Sequence, residues 1–204
     1  MRIAVIGIQG DVYEHIRMTE KAMEKLGIQG EVIWARRREH LEGVDGVIIP
    51  GGESTTISKR LKSGGMYEVI REMAEEGKAI MGTCAGCVLM AKEGDEEVEK
   101  TGTELLGLMD MRVERNAFGR QRESFETELD VEGIGKINAV FIRAPAIIET
   151  WGDCRMISEF MGKGVAAIEG NLLALSFHPE LTEDTRIHEM FLKMAGNDRE
   201  KLYQ

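Results

Sequence analysis

Residues 3–8 run apolar without a charged or strongly polar break, as a strand does in a sheet covered on both faces. Asp11 then precedes Val12, Ile16, Met23 and Leu26, which recur at roughly helical spacing as far as Gly27. That spacing predicts a helix with Asp11 as its cap. Strands follow at residues 31–35 and 46–49, and a third apolar run at 79–81 turns at once into helix-forming sequence. From Met111 the rhythm shortens. Residues 112–116, 124–131 and 139–143 read as short strands that extend the main sheet or form a smaller antiparallel one. A hairpin is expected at 158–160 and 165–168, turning at Gly162-Lys163-Gly164. Residues 172–177 are one more buried strand, and a helix closes the chain from about Thr182 to Ala195. Strands alternating with helices predict a parallel α/β sheet, whose ligands sit beyond the carboxyl ends of the strands.

The strand-to-helix switch that follows residues 79–81 carries chemistry. Gly82-Thr83-Cys84-Ala85-Gly86 is the outline of a nucleophile elbow, G-x-C-x-G. A nucleophile on so sharp a turn leaves no room for a Cβ on either side, which is the use of Gly82 and Gly86. A cysteine at a helix start also lies near unpaired N–H groups and the positive end of the helix dipole, which favour thiolate. Two other readings stay open on these residues alone: a small buried hydrophobe, and a C-x-x-C redox pair of Cys84 with Cys87.

Two further stretches reach the same sheet edge. Pro50-Gly51-Gly52-Glu53-Ser54-Thr55-Thr56 leaves the strand at 46–49, with Ser54 or Thr55 placed to cap the next helix. Backbone N–H groups of Ala85 and of Gly51 or Gly52 can together hold an oxyanion on a substrate attacked by Cys84. An ordinary glycine turn with a cap is the plainer reading of that loop. The buried strand at 172–177 delivers His178-Pro179-Glu180. A cysteine nucleophile needs a base, and the base needs a partner that fixes its tautomer. In extended chain His178 and Glu180 lie on one side, so the carboxylate can orient the ring. Of the other histidines, His15 and His188 fall in amphipathic helices, where a structural role is the default, and His40 lies in a charged loop.

Composition narrows the partners. The 204 residues carry 26 basic against 36 acidic side chains, a net charge of −10, and no dense basic block. Nucleic acid and anionic membrane are therefore poor partners. The length suits one domain spanning 1–204. No signal h-region or bilayer-length apolar stretch is expected, and three cysteines without framework spacing fit a reducing cytoplasm. No second Cys/His pair stands at ligand spacing to make a metal site with Cys84 and Cys87. The acidic stretch 93–102 reads as an exposed loop or frayed helix end, with no function assigned.

Taken together, the glycine loop, the elbow and Ser176-Phe177-His178-Pro179-Glu180 resemble the class I, or triad, glutamine amidotransferases. More narrowly the chain resembles the glutaminase subunits of pyridoxal 5′-phosphate synthase. That likeness rests on Gly7-Ile8-Gln9-Gly10, the P-G-G-E-S-T-T loop, Val113-Glu114-Arg115-Asn116-Ala117-Phe118-Gly119-Arg120-Gln121, Phe141-Ile142-Arg143-Ala144-Pro145 and His178-Pro179-Glu180-Leu181-Thr182-Glu183-Asp184, in family order along nearly the whole chain.

The resemblance implies a flavodoxin-like, three-layer α/β fold with a mainly parallel central sheet and a small antiparallel extension. It implies L-glutamine as substrate, Cys84 as the nucleophile that forms a glutamyl thioester, His178 as acid and base, Glu180 as orienter, and no cofactor. Gly52, Glu53 and Ser54 match the family's glutamine-binding loop, as do Arg115 and the Ile142-Arg143 pair. An arginine fork suits the substrate's α-carboxylate. The likeness further implies a TIM-barrel synthase subunit that receives ammonia through a tunnel and raises a weak basal glutaminase activity, with the Gln9-Gly10 region near the interface. Two features depart from the family pattern: a longer, more acidic segment at 93–104, and Cys87 where relatives carry an apolar residue. The rival readings are a C-x-x-C redox protein, a non-catalytic regulatory subunit on the same fold, and the glutaminase of another amidotransferase.

Overall fold

The computed structural model describes residues 1–118 and 124–196. Gly119, Arg120 and Gln121 of the family-like segment lie outside the described residues. The first half alternates as the apolar pattern predicts: β1 (Arg2–Ile6), α1 (Val12–Leu26), β2 (Glu31–Ala35), β3 (Gly46–Ile49), α2 (Ser54–Ser63), α3 (Met66–Glu75), β4 (Ala79–Thr83) and α4 (Ala85–Met90). The second half is mainly strands: β5 (Ala91–Glu93), the short α5 (Glu96–Lys100), β6 (Met109–Glu114), β7 (Ser124–Val131), β8 (Gly135–Ile142), β9 (Ala146–Thr150), β10 (Arg155–Phe160), β11 (Lys163–Glu169) and β12 (Leu172–Leu175), closed by α6 (Arg186–Ala195).

One sheet joins both halves in the order β2-β1-β3-β4-β12-β11-β9-β6-β5, with β10 paired to β11. The first five strands of that order are mutually parallel. Beyond β12 the neighbours β11, β9 and β6 pair antiparallel. Both expectations for the short strands are met at once, since β6 and β9 extend the main sheet while β7 and β8 form a separate antiparallel pair.

Strand alternation decides which helix covers which face. Ile3, Val5, Ile48, Ala79, Met81, Leu173 and Leu175 pack with α1 and α6, while Ala4, Ile6, Val47, Ile49, Ile80 and Ala174 pack with α2, α3 and α4. The β7–β8 ribbon lays Leu129, Val131, Ile137, Ala139 and Phe141 onto the α1/α6 side. Gly27, left-handed at φ 67°, ends α1 as its position predicts.

Three local expectations need correcting. The hairpin turns at Met161-Gly162, both at positive φ (51° and 74°), so Lys163 already belongs to β11. The last helix begins at Arg186, because Pro179–Leu181 forms a 3-10 turn first. Asp11 occupies the cap position of α1 but makes no capping hydrogen bond with its side chain. The four loops that leave β1, β3, β4 and β12 at their carboxyl ends therefore share one rim of the sheet.

Candidate active site

At that rim β4 ends in Cys84, whose backbone is held at φ 50° and ψ −106°. A non-glycine residue in so sparse a region costs on the order of 1–3 kcal/mol. Two backbone bonds hold it there: Cys84 N–H donates to the Leu175 carbonyl at 2.8 Å, and its own carbonyl accepts from Val88 N–H at 3.2 Å. The flanking glycines answer to crowding, as expected. A Cβ on Gly82 would lie 2.6 Å from the Gly86 carbonyl oxygen, and one on Gly86 would lie 2.1 Å from the Ile49 carbonyl oxygen. Cys84 is 8% exposed, and its Sγ lies 3.6 Å from the Ile142 carbonyl oxygen.

His178 emerges from β12 with its N–H bonded to the Val140 carbonyl at 2.8 Å. The His178-Pro179-Glu180 unit is not extended. Proline opens the 3-10 turn, its fixed φ suiting a first helical position, and the turn folds Glu180 back beneath the ring. His178 Nδ1 then lies 2.7 Å from Glu180 Oε1 and 3.5 Å from Asp11 Oδ2. The other ring nitrogen, Nε2, is buried and makes no hydrogen bond among the described residues.

One glycine lies beside both Cys84 and His178. A Cβ built on Gly51 would sit 2.7 Å from His178 Cε1 and 3.3 Å from Cys84 Cβ, so both side chains crowd the space where a larger residue would put its first carbon. Burial alone would lower the His178 pKa, but the neighbouring Asp11, Cys84 and Glu180 outweigh it and push it up to about 12. Burial raises the Glu180 carboxyl, with His178 opposing. We place the shared proton on the ring, where two carboxylates and the sulfur favour imidazolium. Sulfur, imidazole and carboxylate thus stand in the order that a nucleophile, its acid/base and its orienter would need.

Beside the sulfur opens a cleft of about 440 Å³, within the range of small-molecule sites. Gly52, Glu53, Ser54, Ala85, Cys84 and His178 line one side, and Arg115, Ile142 and Arg143 line another. Gly51 is not on that lining; it stands behind, as the spacer between Cys84 and His178. A comparable cleft near Lys78 and Asn171 lies at the opposite end of the strands, and neither Cys84 nor His178 reaches it.

The cap of α2 is Glu53, not Ser54 or Thr55. Its carboxylate accepts from Thr55 N–H at 3.0 Å and Thr56 N–H at 2.7 Å, while its own N–H donates to Gln9 Oε1 at 3.1 Å. Arg115 reaches over this residue, one guanidinium nitrogen 3.7 Å from Glu53 Oε1. Arg143 carries a positive φ of 44°, placing it and Ile142 at a kink beside the thiol.

A sequence model of the SNO glutamine amidotransferase family matches residues 5–197. The chain belongs to that family. Among curated relatives, the pyridoxal 5′-phosphate synthase subunit PdxT of Archaeoglobus fulgidus is 58% identical over 195 residues, covering 96% of this chain and 98% of the relative. The protein of the same description from Methanosarcina mazei is 50% identical over 198 residues, covering 97% of this chain and all (100%) of the relative. A crystal structure of a glutamine amidotransferase superposes with a TM-score of 0.83 at 44% identity, covering 95% of this chain and 98% of that one.

For an amidotransferase the remaining polar groups of this rim have uses that residue spacing did not disclose. Asp11 turns toward His178 instead of capping α1. Gln9 clasps the glycine loop through Glu53 N–H. The acidic stretch after β5 is not a bare loop: Asp95 caps α5 and also accepts the Arg115 backbone N–H at 2.8 Å. The redox reading fails on Cys87, which is fully buried with its thiol pushed far up by burial and by its neighbours Cys84 and Cys154. All three cysteines are free thiols. The signal for His15 was present in the sequence, since Val12, His15, Thr19 and Ala22 form one buried stripe in which a polar ring must find partners.

Proposed function

We propose that this chain hydrolyses L-glutamine to L-glutamate and ammonia and delivers the ammonia to a synthase subunit that makes pyridoxal 5′-phosphate. The observation that carries the reading is the meeting of Cys84 and His178 across Gly51, with Glu180 2.7 Å behind the ring. The description of the relatives as pyridoxal 5′-phosphate synthase subunits supports that destination for the ammonia.

In the first half-reaction the Cys84 thiolate bonds to the side-chain carboxamide carbon of glutamine. The oxyanion is held by backbone N–H groups of Ala85 and Gly52, with Gly51 as the spacer that lets them approach. The His178 imidazolium gives its proton to the amide nitrogen, the C–N bond breaks, and ammonia leaves a glutamyl thioester. In the second half-reaction neutral His178 takes a proton from water, the hydroxide adds to the thioester carbon, and the C–S bond breaks to return thiolate and imidazolium. Glu180 steadies the ring through both steps. Arg115 and Arg143 face the α-carboxylate, while Glu53 and Ser54 shape the loop against which the substrate lies. The chemistry draws on side chains and backbone of this chain, and the reading includes no cofactor or metal.

The partner in this reading is a TIM-barrel synthase subunit in a hetero-oligomer, with ammonia passed through an internal tunnel. Residues 1–204 act as one amidotransferase domain, a reading supported by the ten-stranded sheet that holds both β1 and β12. A cytoplasmic location fits three reduced cysteines, and no helix among the described residues is long and apolar enough to cross a membrane.

The test is ammonia release from glutamine with and without the co-expressed synthase subunit, together with mass-spectrometric mapping of a glutamine-analogue electrophile. Labelling at Cys84 and partner-stimulated ammonia release are expected. Labelling that avoids Cys84, or a Cys84→Ser variant with unchanged turnover, would overturn the reading.

A further inference from the structure

Behind Glu180 lies a second set of buried polar side chains that the hydrolysis above does not use. His15 of α1 and His188 of α6 are both 0% exposed. His15 Nδ1 lies 3.2 Å from His188 Nε2. On the other side of its ring, His15 Nε2 lies 3.0 Å from Thr83 Oγ1 and 3.3 Å from Glu180 Oε2. Glu180 Oε1 is taken by His178, and Oε2, fully buried, has no well-aligned hydrogen bond. His15 Nε2 is a ring nitrogen the structure places beside it.

Two independent facts choose the tautomers. If His15 carried its proton on Nδ1, Nε2 could only accept from the Thr83 hydroxyl, and Glu180 Oε2, 3.3 Å from that nitrogen, would gain no donor from the ring. With the proton on Nε2, His15 donates toward Oε2 and the Thr83 hydroxyl, and Nδ1 accepts from His188 Nε2–H. His188 Nδ1 is then an unprotonated acceptor, and it is an atom with no partner. The opposite assignment would leave a buried N–H donor orphaned there, the rarer and costlier defect. Burial keeps both rings neutral, His15 well below its ordinary pKa and His188 lowered to about 4.

We infer that His15 is a positioning residue for the hydrolytic relay, donating its Nε2 proton to the outer oxygen of Glu180, and that His188 holds His15 in the tautomer able to do so. A carboxylate gripped at one oxygen can swing about its Cγ–Cδ bond; gripped at both, it keeps Oε1 aimed at His178 Nδ1. The same ring touches Thr83, the residue before Cys84, and so ties the orienter to the elbow. The inference rests on the glutaminase reading, and electrophile labelling of Cys84 in the unaltered chain separates failure of one from failure of the other.

The titratable groups around Glu180 are His178 and Asp11 on its ring side, and His15 with His188 behind. Without the His15 donor, Glu180 takes up a proton more readily and gives less support to the imidazolium. The acid limb of Cys84 alkylation by iodoacetamide, followed by mass spectrometry, should then move to higher pH in His15→Leu. That variant should lose roughly ten- to a hundred-fold in kcat, as outer hydrogen-bond partners of metal-bound histidines do, with KM for glutamine unchanged. His15→Gln places an amide N–H near the position of Nε2 and should restore both rate and limb. His188→Leu should cost less, and the double variant no more than His15→Leu alone.

Nitrogen NMR of the free chain reads the tautomers without turnover, and it keeps the inference testable if His15→Leu does not fold. Neutral rings with His15 protonated on Nε2 support it. An Nδ1 proton on His15, additive losses in the double variant, or equal behaviour of the Leu and Gln variants with an unmoved alkylation limb would each overturn it.

Discussion

Asp95 Oδ2 accepts the backbone N–H of Arg115 at 2.8 Å, across twenty residues of chain. The other oxygen of the same carboxylate accepts from Glu97 N–H at 3.1 Å and Val98 N–H at 3.0 Å, capping α5. One side chain therefore both starts a helix and holds the loop that carries Arg115 to the cleft beside Cys84. Arg115 is further tied by a guanidinium nitrogen 3.2 Å from Thr101 Oγ1, in the residue that follows α5.

Removing that carboxylate should affect binding before chemistry. Asp95→Ala is expected to cost about 0.5–2 kcal/mol of stability through the lost cap. It should also raise KM for glutamine on the order of tenfold with kcat little changed, the pattern of a lost ground-state contact. Glu99→Ala, on the exposed side of the same helix, should change neither. Steady-state kinetics and urea midpoints on the two variants check this.

Glu180→Gln should leave the fold in place and remove most of the rate. An amide at Glu180 offers His178 Nδ1 an N–H as readily as an oxygen, so the ring is no longer held in one tautomer. A drop of roughly 10⁴ in kcat is expected, by analogy with the same exchange in serine proteases. Ammonia release sets the magnitude, and an unchanged circular dichroism spectrum shows that folding is not the cause.

Two glycine substitutions should separate stability from catalysis. A Cβ on Gly86 would meet the Ile49 carbonyl oxygen at 2.1 Å, backbone against backbone, with no flexible group to yield. Gly86→Ala should therefore destabilise by about 1–3 kcal/mol or more, read as a lowered urea midpoint. A Cβ on Gly51 would instead meet the His178 ring at 2.7 Å, and a ring can turn aside. Gly51→Ala should keep a near-normal midpoint and lose turnover.

How much of this was legible in the sequence depended on whether a residue acts through its neighbours in the chain or across it. Ile3, Val5, Ile48 and Met81 announce their strands by apolar pattern alone, and Gly82 and Gly86 announce the elbow because crowding there is local. Cys84, His178 and Glu180 were legible as types at the ends of strands, and the parallel order of β3, β4 and β12 brought them together. Asp11 and Asp95 misled, and the cap of α2 fell to Glu53 instead of Ser54 or Thr55, for one shared reason. A carboxylate before a helix reads as a cap or a surface charge, and whether it caps, faces a histidine or pins a distant loop is set by packing. Glu53 and Asp95 cap; Asp11 does not. The partnership of His15 with His188, 173 residues apart, has no trace in local pattern beyond a polar residue in each apolar stripe.

Those buried histidines also set the acid side of the stability curve. His188 has its pKa lowered from 6.5 to about 4 by burial, so between those values the unfolded chain binds a proton that the folded chain refuses. Its contribution is present above pH 6.5 and lost as pH falls through about 4, amounting to roughly 3 kcal/mol at 1.36 kcal/mol per unit. His15, lowered in the same direction, adds to the loss. His178 runs the opposite way: raised to about 12, it stabilises fully below pH 6.5, and that contribution fades as pH climbs toward 12. Urea midpoints measured from pH 4 to pH 10 should therefore fall on both flanks. His188→Gln, which keeps a donor near Nε2 but cannot titrate, should flatten the acid flank and leave the alkaline one in place. An acid flank of unchanged steepness in that variant would move the cause from this buried pair to the carboxylates.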